Sequence, residues 1–247
     1  MSKNWIKYTL VSVLVLLFLH FLFTSLFFIT EQESIYNSNN KQWSHRGVGL
    51  PENSIESTKQ AIKKNYQGIE IDVWFQNNNL VVSHDRNSSD SLVLLDVFFK
   101  TFPTTSFWID LKNLSLYNVF DVKQKLLELK KKNPSFIVES KNAIPLAILS
   151  ISKINSCLWL QPLNVPTTQL YFSKNGIKEL YSMNMIFLFK FNAISMPLKI
   201  YDNPIVINKY KHLNIHLWFD NSIEDAQYKK VAKMEEVKII LDDDELY

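Results

Sequence analysis

Acidic and basic side chains recur between Trp43 and Lys112, each time next to apolar residues. The clusters are Ser44-His45-Arg46-Gly47, Pro51-Glu52-Asn53, Glu70-Ile71-Asp72-Val73, Ser83-His84-Asp85 and Asp110-Leu111-Lys112. Two of the chain's five histidines and three of its four glycines lie in this stretch. Burying a charge inside an apolar run is costly unless the charge has a partner. The stretch is therefore where a functional site is expected.

The acids of this stretch favour a bound divalent cation. Glu70, Asp72 and Asp110 would repel one another if they were ionised together at close range. A divalent cation removes that conflict, and an all-oxygen set of ligands suits Mg²⁺ or Ca²⁺ better than Zn²⁺.

The bases indicate the substrate. Arg46 and Lys112 beside a metal imply an anionic substrate, most naturally a phosphate. His45 and His84 at the same place could serve as a proton acceptor and a proton donor. A metal, two cations and two imidazoles describe a site that cleaves phosphodiesters. The chain contains no P-loop and no dinucleotide fingerprint, because its four glycines do not have the spacing that either motif requires.

Alternating strands and a helix can bring these residues together. Residues 69–73 alternate apolar and acidic side chains, which predicts a strand with both carboxylates on one face. Residues 108–112 alternate too, and residues 53–62 predict an amphipathic helix with Asn53 or Ser54 as its N-cap. Parallel strands joined by helical crossovers end at one edge, where α/β barrels carry their sites. The side chains expected to meet there are His45, Glu70, Asp72, Asp110 and Lys112.

The rest of the chain continues the βα rhythm. Further strands are predicted at residues 135–139, 157–161, 193–196, 214–218 and 237–241, and 185–191 competes with 193–196 for the sixth strand. Helices are predicted near 90–101, 117–132, 143–154, 173–183, 203–211 and 222–233. Glu139 either faces the rim or pairs with Lys141. We therefore predict an α/β fold, a TIM-type (β/α)8 barrel over residues 41–247.

The N-terminal segment predicts a membrane anchor. Residues 8–30 carry no charge over 23 positions, which is long enough to span a bilayer, with His20 as the awkward member. A cleaved signal peptide is the alternative, but its apolar core is usually shorter and ends in a small-residue cleavage site. Two lysines precede the segment and two glutamates follow it, which predicts a cytoplasmic N-terminus and an extracytoplasmic barrel. The predicted organisation is an anchor at 1–30, a polar linker at 31–40 and the barrel.

Composition excludes other classes. The net charge is only +3, and nothing indicates a nucleic-acid surface. One cysteine allows no internal disulfide, and Cys157 lies in an apolar run that favours inert core. The tryptophans at 43, 74, 108 and 218 lie near strand ends and either pack in the core or form an apolar wall for an alcohol or acyl chain.

These motifs, in this order, resemble the glycerophosphodiester phosphodiesterase family. The resemblance covers about residues 41–112, and segments 217–221 and 237–243 resemble the family's seventh and eighth strands. It implies a (β/α)8 barrel that cleaves glycerophosphodiesters to glycerol 3-phosphate and an alcohol with a divalent metal.

The resemblance also implies a role for each matching residue. His45 and His84 match the general acid/base pair, and Glu70 and Asp72 match the metal-binding carboxylates, with Asp110 at a third metal position. Arg46 and Lys112 match the cations that contact the phosphate. Additional positions that match the family's pattern are Glu52, Asn53 and Trp218.

Two departures bear on the substrate. The family usually has Glu where this chain has Asp110, whereas the similar sphingomyelinase D group uses Asp. The family usually inserts a small subdomain between its second histidine and third strand, but only 25 residues separate His84 from Asp110. We therefore expect a compact member without the cap that shapes the glycerol pocket. The alternatives are a phospholipase D-like activity on lysolipid or sphingolipid headgroups and a non-catalytic member that binds phosphate.

Overall fold

Eight parallel strands close into a barrel. The computed structural model describes residues 8–9, 11–16, 18–19, 21–22, 26, 41–86, 93–133, 135–162, 166, 170, 173–219 and 225–242. The strands are β1 Gln42–Ser44, β2 Gly68–Gln76, β3 Asn79–Val82, β4 Val93–Leu94, β5 Ser106–Leu111, β6 Phe136–Ser140, β7 Ser156–Trp159, β8 Ala193–Pro197, β9 Ile215–Trp218 and β10 Val237–Asp242. The helices are α1 Ile55–Lys63, α2 Leu95–Thr101, α3 Val119–Lys130, α4 Ala143–Ile151, α5 Lys174–Phe189, α6 Leu198–Tyr201, α7 Pro204–Tyr210 and α8 Asp225–Ala232.

The pairing order shows how the barrel closes. It runs β1-β10-β9-β8-β7-β6-β5-β2, and β1 also pairs in parallel with β2. The carboxyl ends of all eight strands therefore lie at one edge, which we call the rim. The predicted TIM-type (β/α)8 barrel is confirmed.

An antiparallel extension rises beside β2. β2 continues to Gln76, turns at Asn77 and Asn78, and returns as β3, which also pairs with the short β4. Both turn residues have positive φ, 49° and 58°. This is the requirement of a type I′ hairpin, and Asn tolerates it. The hairpin was not among the predicted elements, although the Asn-Asn pair is its signal.

Buried side chains form two layers, one inside the barrel and one between the barrel and its helices. The inner cluster consists of Trp43, Trp108, Ile137, Cys157, Ala193, Ile239 and Leu241. Trp43 requires the neighbouring Gly68, because a Cβ there would lie 2.6 Å from the indole ring. Cys157 is a free, buried thiol, so the expectation that it lies in the core is confirmed.

The structure decides between the two candidates for the sixth strand. Residues 193–197 form β8, whereas residues 185–189 belong to α5, which runs six residues beyond its predicted end. The predicted helix at 90–101 begins at Leu95, and residues 87–92 lie outside the described residues. Of the predicted helix at 222–233, residues 225–232 are described as α8.

The N-terminal segment is described in part. The described residues between 8 and 26 are helical, and those from 8 to 22 expose their side chains. In the described part of the chain, no helix has the length and apolar character needed to cross a bilayer. The other residues of the predicted anchor, and the linker at 31–40, lie outside the described residues.

Candidate active site

The ends of β2 and β5 bring three predicted acids together. The two strands pair in parallel, with Asp72 opposite Asp110 and Glu70 opposite Trp108. One carboxylate oxygen from each of Glu70, Asp72 and Asp110 lies within 4.8 Å of the others. Three carboxylates this close could hold a metal ion, and a hard divalent cation is the kind that such oxygen ligands prefer.

Two cations of the chain lie among these acids. Arg46 Nε lies 2.9 Å from Asp72 Oδ2, and its Nη1 donates to Glu52 Oε2 at 3.0 Å. Lys112 Nζ contacts both Asp72 and Asp110. Part of the repulsion that led us to predict a metal is therefore already offset by Arg46 and Lys112.

The three acids differ in their pKa values. Burial, followed by the charges of Asp72 and Asp110, raises the pKa of Glu70 well above its usual range. Burial also raises the pKa of Asp110. Burial alone would raise the pKa of Asp72, but Lys112 and Arg46 outweigh it and lower that pKa. Glu70 is thus the carboxylate with the most to gain from an added cation, and the donor set fits Mg²⁺ or Ca²⁺.

The loop after β1 holds its residues in strained backbone. Arg46 and Asn53 have φ values of 55° and 54°, and Gly47 and Gly49 have 85° and 74°. A Cβ on Gly47 would lie 2.7 Å from the backbone carbon of Ser57, so only glycine fits there. The Arg46 backbone N–H points to Glu70 Oε2 at 3.3 Å. Left-handed backbone at a non-glycine residue occurs in turns and at functional sites, and Arg46 and Asn53 hold it beside the acid cluster.

Asn53 fixes the position of Asp72. Its Oδ1 accepts the Asp72 backbone N–H at 2.9 Å, and its Nδ2 donates to Asp72 Oδ2 at 2.9 Å. The next residue, Ser54, is the N-cap of α1 and forms a capping box with Ser57. Of the two predicted cap residues, Ser54 caps the helix and Asn53 supports the site.

The two predicted histidines lie in different surroundings. His45 lines the cavity, and its Nε2 lies 3.8 Å from Glu70 Oε2. His84 is exposed, and its Nδ1 lies 3.0 Å from Asp85 Oδ1. The preceding Ser83 N–H donates to the Asp72 carbonyl at 3.0 Å, which keeps the backbone before His84 beside β2. The structure thus brings His45 to the acids and pairs the imidazole of His84 with Asp85.

The site opens into a cavity of about 400 Å³. Its lining combines the acids and cations with apolar side chains, which include Trp108, Trp159, Trp218, Phe219 and Leu241. Trp159 and Trp218 stack, with ring centroids 6.3 Å apart and an interplanar angle of 19°. Of the predicted tryptophans, Trp108 and Trp218 therefore line the cavity, whereas Trp43 packs in the core.

Three further residues line the cavity, Glu139, Lys141 and Trp159. The sequence left open whether Glu139 faces the rim or pairs with Lys141, and in the structure Glu139 lies in the cavity wall. Glu139 is opposite Asp110 in the β5–β6 register, and burial, followed by the charge of Asp110, raises its pKa well above the usual range. Trp159 had no assigned role, and its position at the end of β7 was the signal that could have found it.

Beneath Glu139 lies a buried cysteine–histidine contact. Cys157 Sγ lies 3.8 Å from Glu139 Oε2 and 3.6 Å from His216 Nδ1. Burial lowers the pKa of His216 to about 3, so its imidazole is neutral at pH 7.

The fold and the site define a (β/α)8-barrel protein with an acid and cation cluster at its rim. The model of the Glycerophosphoryl diester phosphodiesterase family matches residues 45–187, more than half of the chain, and the chain belongs to this family. It is therefore a phosphoric diester hydrolase of the glycerophosphodiester phosphodiesterase type. A search of curated protein sequences found no match.

Solved structures share the fold at low sequence identity. A glycerophosphodiester phosphodiesterase from Parabacteroides distasonis matches 85% of this chain and 94% of its own at 17% identity, with a TM-score of 0.58. The match to a glycerophosphodiester phosphodiesterase from Agrobacterium tumefaciens covers 83% of this chain and 96% of the other chain at 14% sequence identity, with a TM-score of 0.58. The match to a calcium-dependent phosphoinositol-specific phospholipase C from a Pseudomonas species covers 83% of this chain and 89% of the other chain at 9% sequence identity, with a TM-score of 0.53. At these identities the likeness concerns the fold alone.

Proposed function

We propose that the protein is a metal-dependent hydrolase of glycerophosphodiesters. The observation that carries the proposal is the carboxylate trio of Glu70, Asp72 and Asp110, with ligand oxygens within 4.8 Å, beside Arg46 and Lys112. Family membership supports the reaction class. The two cations are evidence for an anionic substrate, because guanidinium and ammonium groups are the usual partners of phosphate oxygens.

The carboxylate trio would hold Mg²⁺ or Ca²⁺. A bound dication would supply charge stabilisation for the phosphoryl oxygens and would help to activate the nucleophile. Arg46 and Lys112 would bind the remaining phosphoryl oxygens and stabilise the charge that develops on them. Glu52 orients Arg46 through their hydrogen bond, and Asn53 orients Asp72.

His45 and His84 are the proposed general acid/base pair. One accepts a proton from the nucleophile, which is water or a neighbouring substrate hydroxyl, and the other protonates the leaving oxygen. The contact of His45 with the cavity supports its part. The Asp85 carboxylate beside His84 Nδ1 supports a tautomer that leaves Nε2 for the substrate.

The proposal extends to the location of the enzyme. We place the N-terminus in the cytoplasm, residues 8–30 across the membrane as a single span and the barrel outside. Supporting observations are the uncharged length of this segment and the apolar side chains that it exposes, among them Leu14, Leu16 and Phe18 at 56%, 65% and 64%.

Hydrolysis by the purified full-length chain in detergent tests the function. Glycerophosphocholine and glycerophosphoethanolamine are offered with Mg²⁺, with Ca²⁺ and with EDTA. We expect activity with one of the ions, its loss in EDTA, and a fall of at least about 100-fold in kcat/KM for His45→Ala and for Glu70→Gln. The matched control is Asp202→Asn, a surface acid paired with Lys230, which should change the rate less than about twofold. Hydrolysis that survives both EDTA and Glu70→Gln would reject the metal, and binding without any turnover would indicate a non-catalytic member.

A further inference from the structure

Strand β2 continues beyond the barrel as one arm of a hairpin. Its parallel pairs with β5 end at Val73 and Leu111, whereas its pairs with β3 run on to Gln76 and Asn79. Two strands in a hairpin are marginally stable without further contacts, and the short β4 pairs with β3 at two positions. The position of His84 depends on this hairpin, because the loop that leaves β3 carries it.

The side chain of Asn113 acts as a strand residue on the edge of β2 that faces away from β3. Its Oδ1 accepts the Phe75 backbone N–H at 2.9 Å, and its Nδ2 donates to the Phe75 carbonyl at 2.8 Å. An amide side chain offers the same donor and acceptor as a peptide group. Asn113 therefore ties the hairpin to the loop after β5, two residues beyond the last pair of β2 with β5.

Neighbouring asparagines hold Asn113 in turn. The Asn113 carbonyl accepts Asn118 Nδ2 at 2.9 Å, and Asn118 Oδ1 accepts the Ser115 N–H at 2.8 Å. The same loop is joined to the loop after β6, because Asn142 Nδ2 donates to the Leu114 carbonyl at 2.6 Å. The hairpin is therefore tied to a braced part of the rim, not to a free loop.

Trp74 connects the hairpin to the histidine. Its Nε1 donates to the His84 carbonyl at 3.1 Å. On the other side of the histidine, the Ser83 N–H donates to the Asp72 carbonyl at 3.0 Å. The backbone is thus bound to β2 both before and at His84. Trp74 adjoins Phe75 in sequence, so a shift of Phe75 would move the indole that holds the histidine.

We propose that Asn113 and Trp74 are positioning residues that hold His84 in place for proton transfer. This inference rests on the proposed function, in which His84 belongs to the acid/base pair. Asn113 fixes the backbone of Phe75, and the indole of the preceding Trp74 fixes the backbone of the histidine. Neither side chain has to contact the substrate. Their loss should slow the chemical step, because a displacement of about 1 Å at a catalytic group can lower a rate about 100-fold.

Hydrogen exchange tests the positioning without reference to activity. Mass spectrometry follows the full-length chain in detergent as the parent, Asn113→Ala and Trp74→Phe. We expect segment 79–86 to exchange about tenfold faster in both variants, because each loses hydrogen bonds that hold the hairpin or its loop. The matched control is Asn133→Ala, whose side chain binds backbone carbonyls at the opposite edge of the barrel and should leave this segment unchanged. Unchanged exchange in Asn113→Ala or in Trp74→Phe would overturn the proposal.

Reaction rates test whether the positioning matters for catalysis. With glycerophosphocholine and the ion that supports activity, Asn113→Ala should lower kcat about 10- to 100-fold and change KM less than about twofold. Asn133→Ala should keep kcat within about twofold of the parent. In a His84→Ala background, Asn113→Ala should lower kcat by less than about twofold, because the side chain that it positions is gone.

The outcomes distinguish this inference from the function on which it rests. An equal loss of kcat in both backgrounds would mean that Asn113 acts through the adjacent Lys112, and it would overturn the positioning of His84. An unchanged kcat in Asn113→Ala would overturn it as well. Absence of turnover by the parent chain, or a parent rate that His84→Ala leaves unchanged, rejects the proposed function instead.

Discussion

Asn53 holds Asp72 at two points, accepting its backbone N–H and donating to its carboxylate, each at 2.9 Å. Asn53 also has a φ of 54°, in the left-handed region. A single residue of the loop after β1 therefore sets the position of a carboxylate at the end of β2. It does so at the cost of a conformation that most residues avoid.

Asn53→Gly separates these two effects. Glycine keeps the left-handed backbone but removes both hydrogen bonds, so the affinity for Mg²⁺ or Ca²⁺ should fall by about 10- to 100-fold with the fold retained. Asn53→Ala should lose the same affinity and be less stable than the glycine variant by about 1 kcal/mol, because alanine disfavours this φ. Calorimetric titration measures the first quantity and denaturant unfolding the second. An unchanged metal affinity in Asn53→Gly would contradict the positioning role.

Gly47 and Gly49 offer a matched pair in the same loop. Both have positive φ, but a Cβ on Gly47 would meet Ser57, whereas a Cβ on Gly49 would meet nothing within 4 Å. Gly49→Ala should therefore cost about 1 kcal/mol from backbone strain alone. Gly47→Ala should lower the free energy of unfolding by more than Gly49→Ala does. It should also lower activity, because a shift of the backbone at position 47 displaces the adjacent Arg46. Urea unfolding of the two variants measures the difference, and equal costs would show that the contact with Ser57 is unimportant.

A buried ion pair joins α5 to α7. Lys209 Nζ donates to Glu179 Oε1 at 2.7 Å, and both side chains are buried. Lys209→Met should destabilise the protein by about 3–5 kcal/mol, because it removes the ammonium partner of the buried Glu179, to which the Tyr210 hydroxyl also donates at 2.8 Å. Lys230→Met, which breaks the exposed pair with Asp202, should cost less than about 1 kcal/mol.

The double variant Glu179→Leu, Lys209→Met separates the loss of an ion pair from the loss of packing. It should recover part of the stability that Lys209→Met loses, since the buried carboxylate is also gone, although the buried Tyr210 hydroxyl then loses Glu179 as its acceptor. Thermal unfolding of the single and double variants tests this expectation. A double variant as unstable as the sum of its parts would mean that packing, not charge, accounts for the effect.

His216 predicts an acid-dependent loss of stability. Burial lowers its pKa in the folded state to about 3, compared with about 6.5 in the unfolded chain. Between these values the unfolded chain binds a proton that the folded protein does not. The free energy of unfolding should therefore fall by about 1.4 kcal/mol for each pH unit below 6.5 from this group.

His216→Gln removes that titration and provides the comparison. Unfolding measured between pH 7 and pH 4 should have a smaller slope against pH in the variant than in the parent chain. Subtracting one curve of unfolding free energy against pH from the other removes the contribution of the carboxylates, which titrate in both proteins. Identical slopes would show that His216 becomes protonated in the folded protein.

The alternation of apolar and polar residues along the chain was enough to predict the barrel and the acid cluster. The alternation around Glu70 and Asp72 fixes which face they share, and parallel strands then bring Asp110 beside them. Local pattern placed Arg46 and Lys112 near the acids but could not show that they form ion pairs with Asp72, because that depends on the left-handed backbone of Arg46 and on side-chain direction across strands. It also could not show where His84 lies relative to the acids, since the β2–β3 hairpin sets where that loop leaves the sheet.

The rest of the cavity escaped prediction for a similar reason. Trp159 and Lys141 belong to no motif, and their importance comes from the barrel closure that places β6 and β7 around the same opening. Tyr117 lies in the loop after β5, where sequence alone does not distinguish an exposed side chain from a buried one. Three-dimensional closure therefore supplies what periodicity cannot.

The contacts of Lys112 with Asp72 and Asp110 have a consequence for biogenesis. An ammonium group of the polypeptide already balances two of the acids, so the newly made barrel can reach its native form in a compartment poor in divalent ions. Under the proposed function, ion binding would then be a late, reversible step that need not accompany folding. Chelation should silence such an enzyme without unfolding it, and resupply of the ion should restore it without a chaperone.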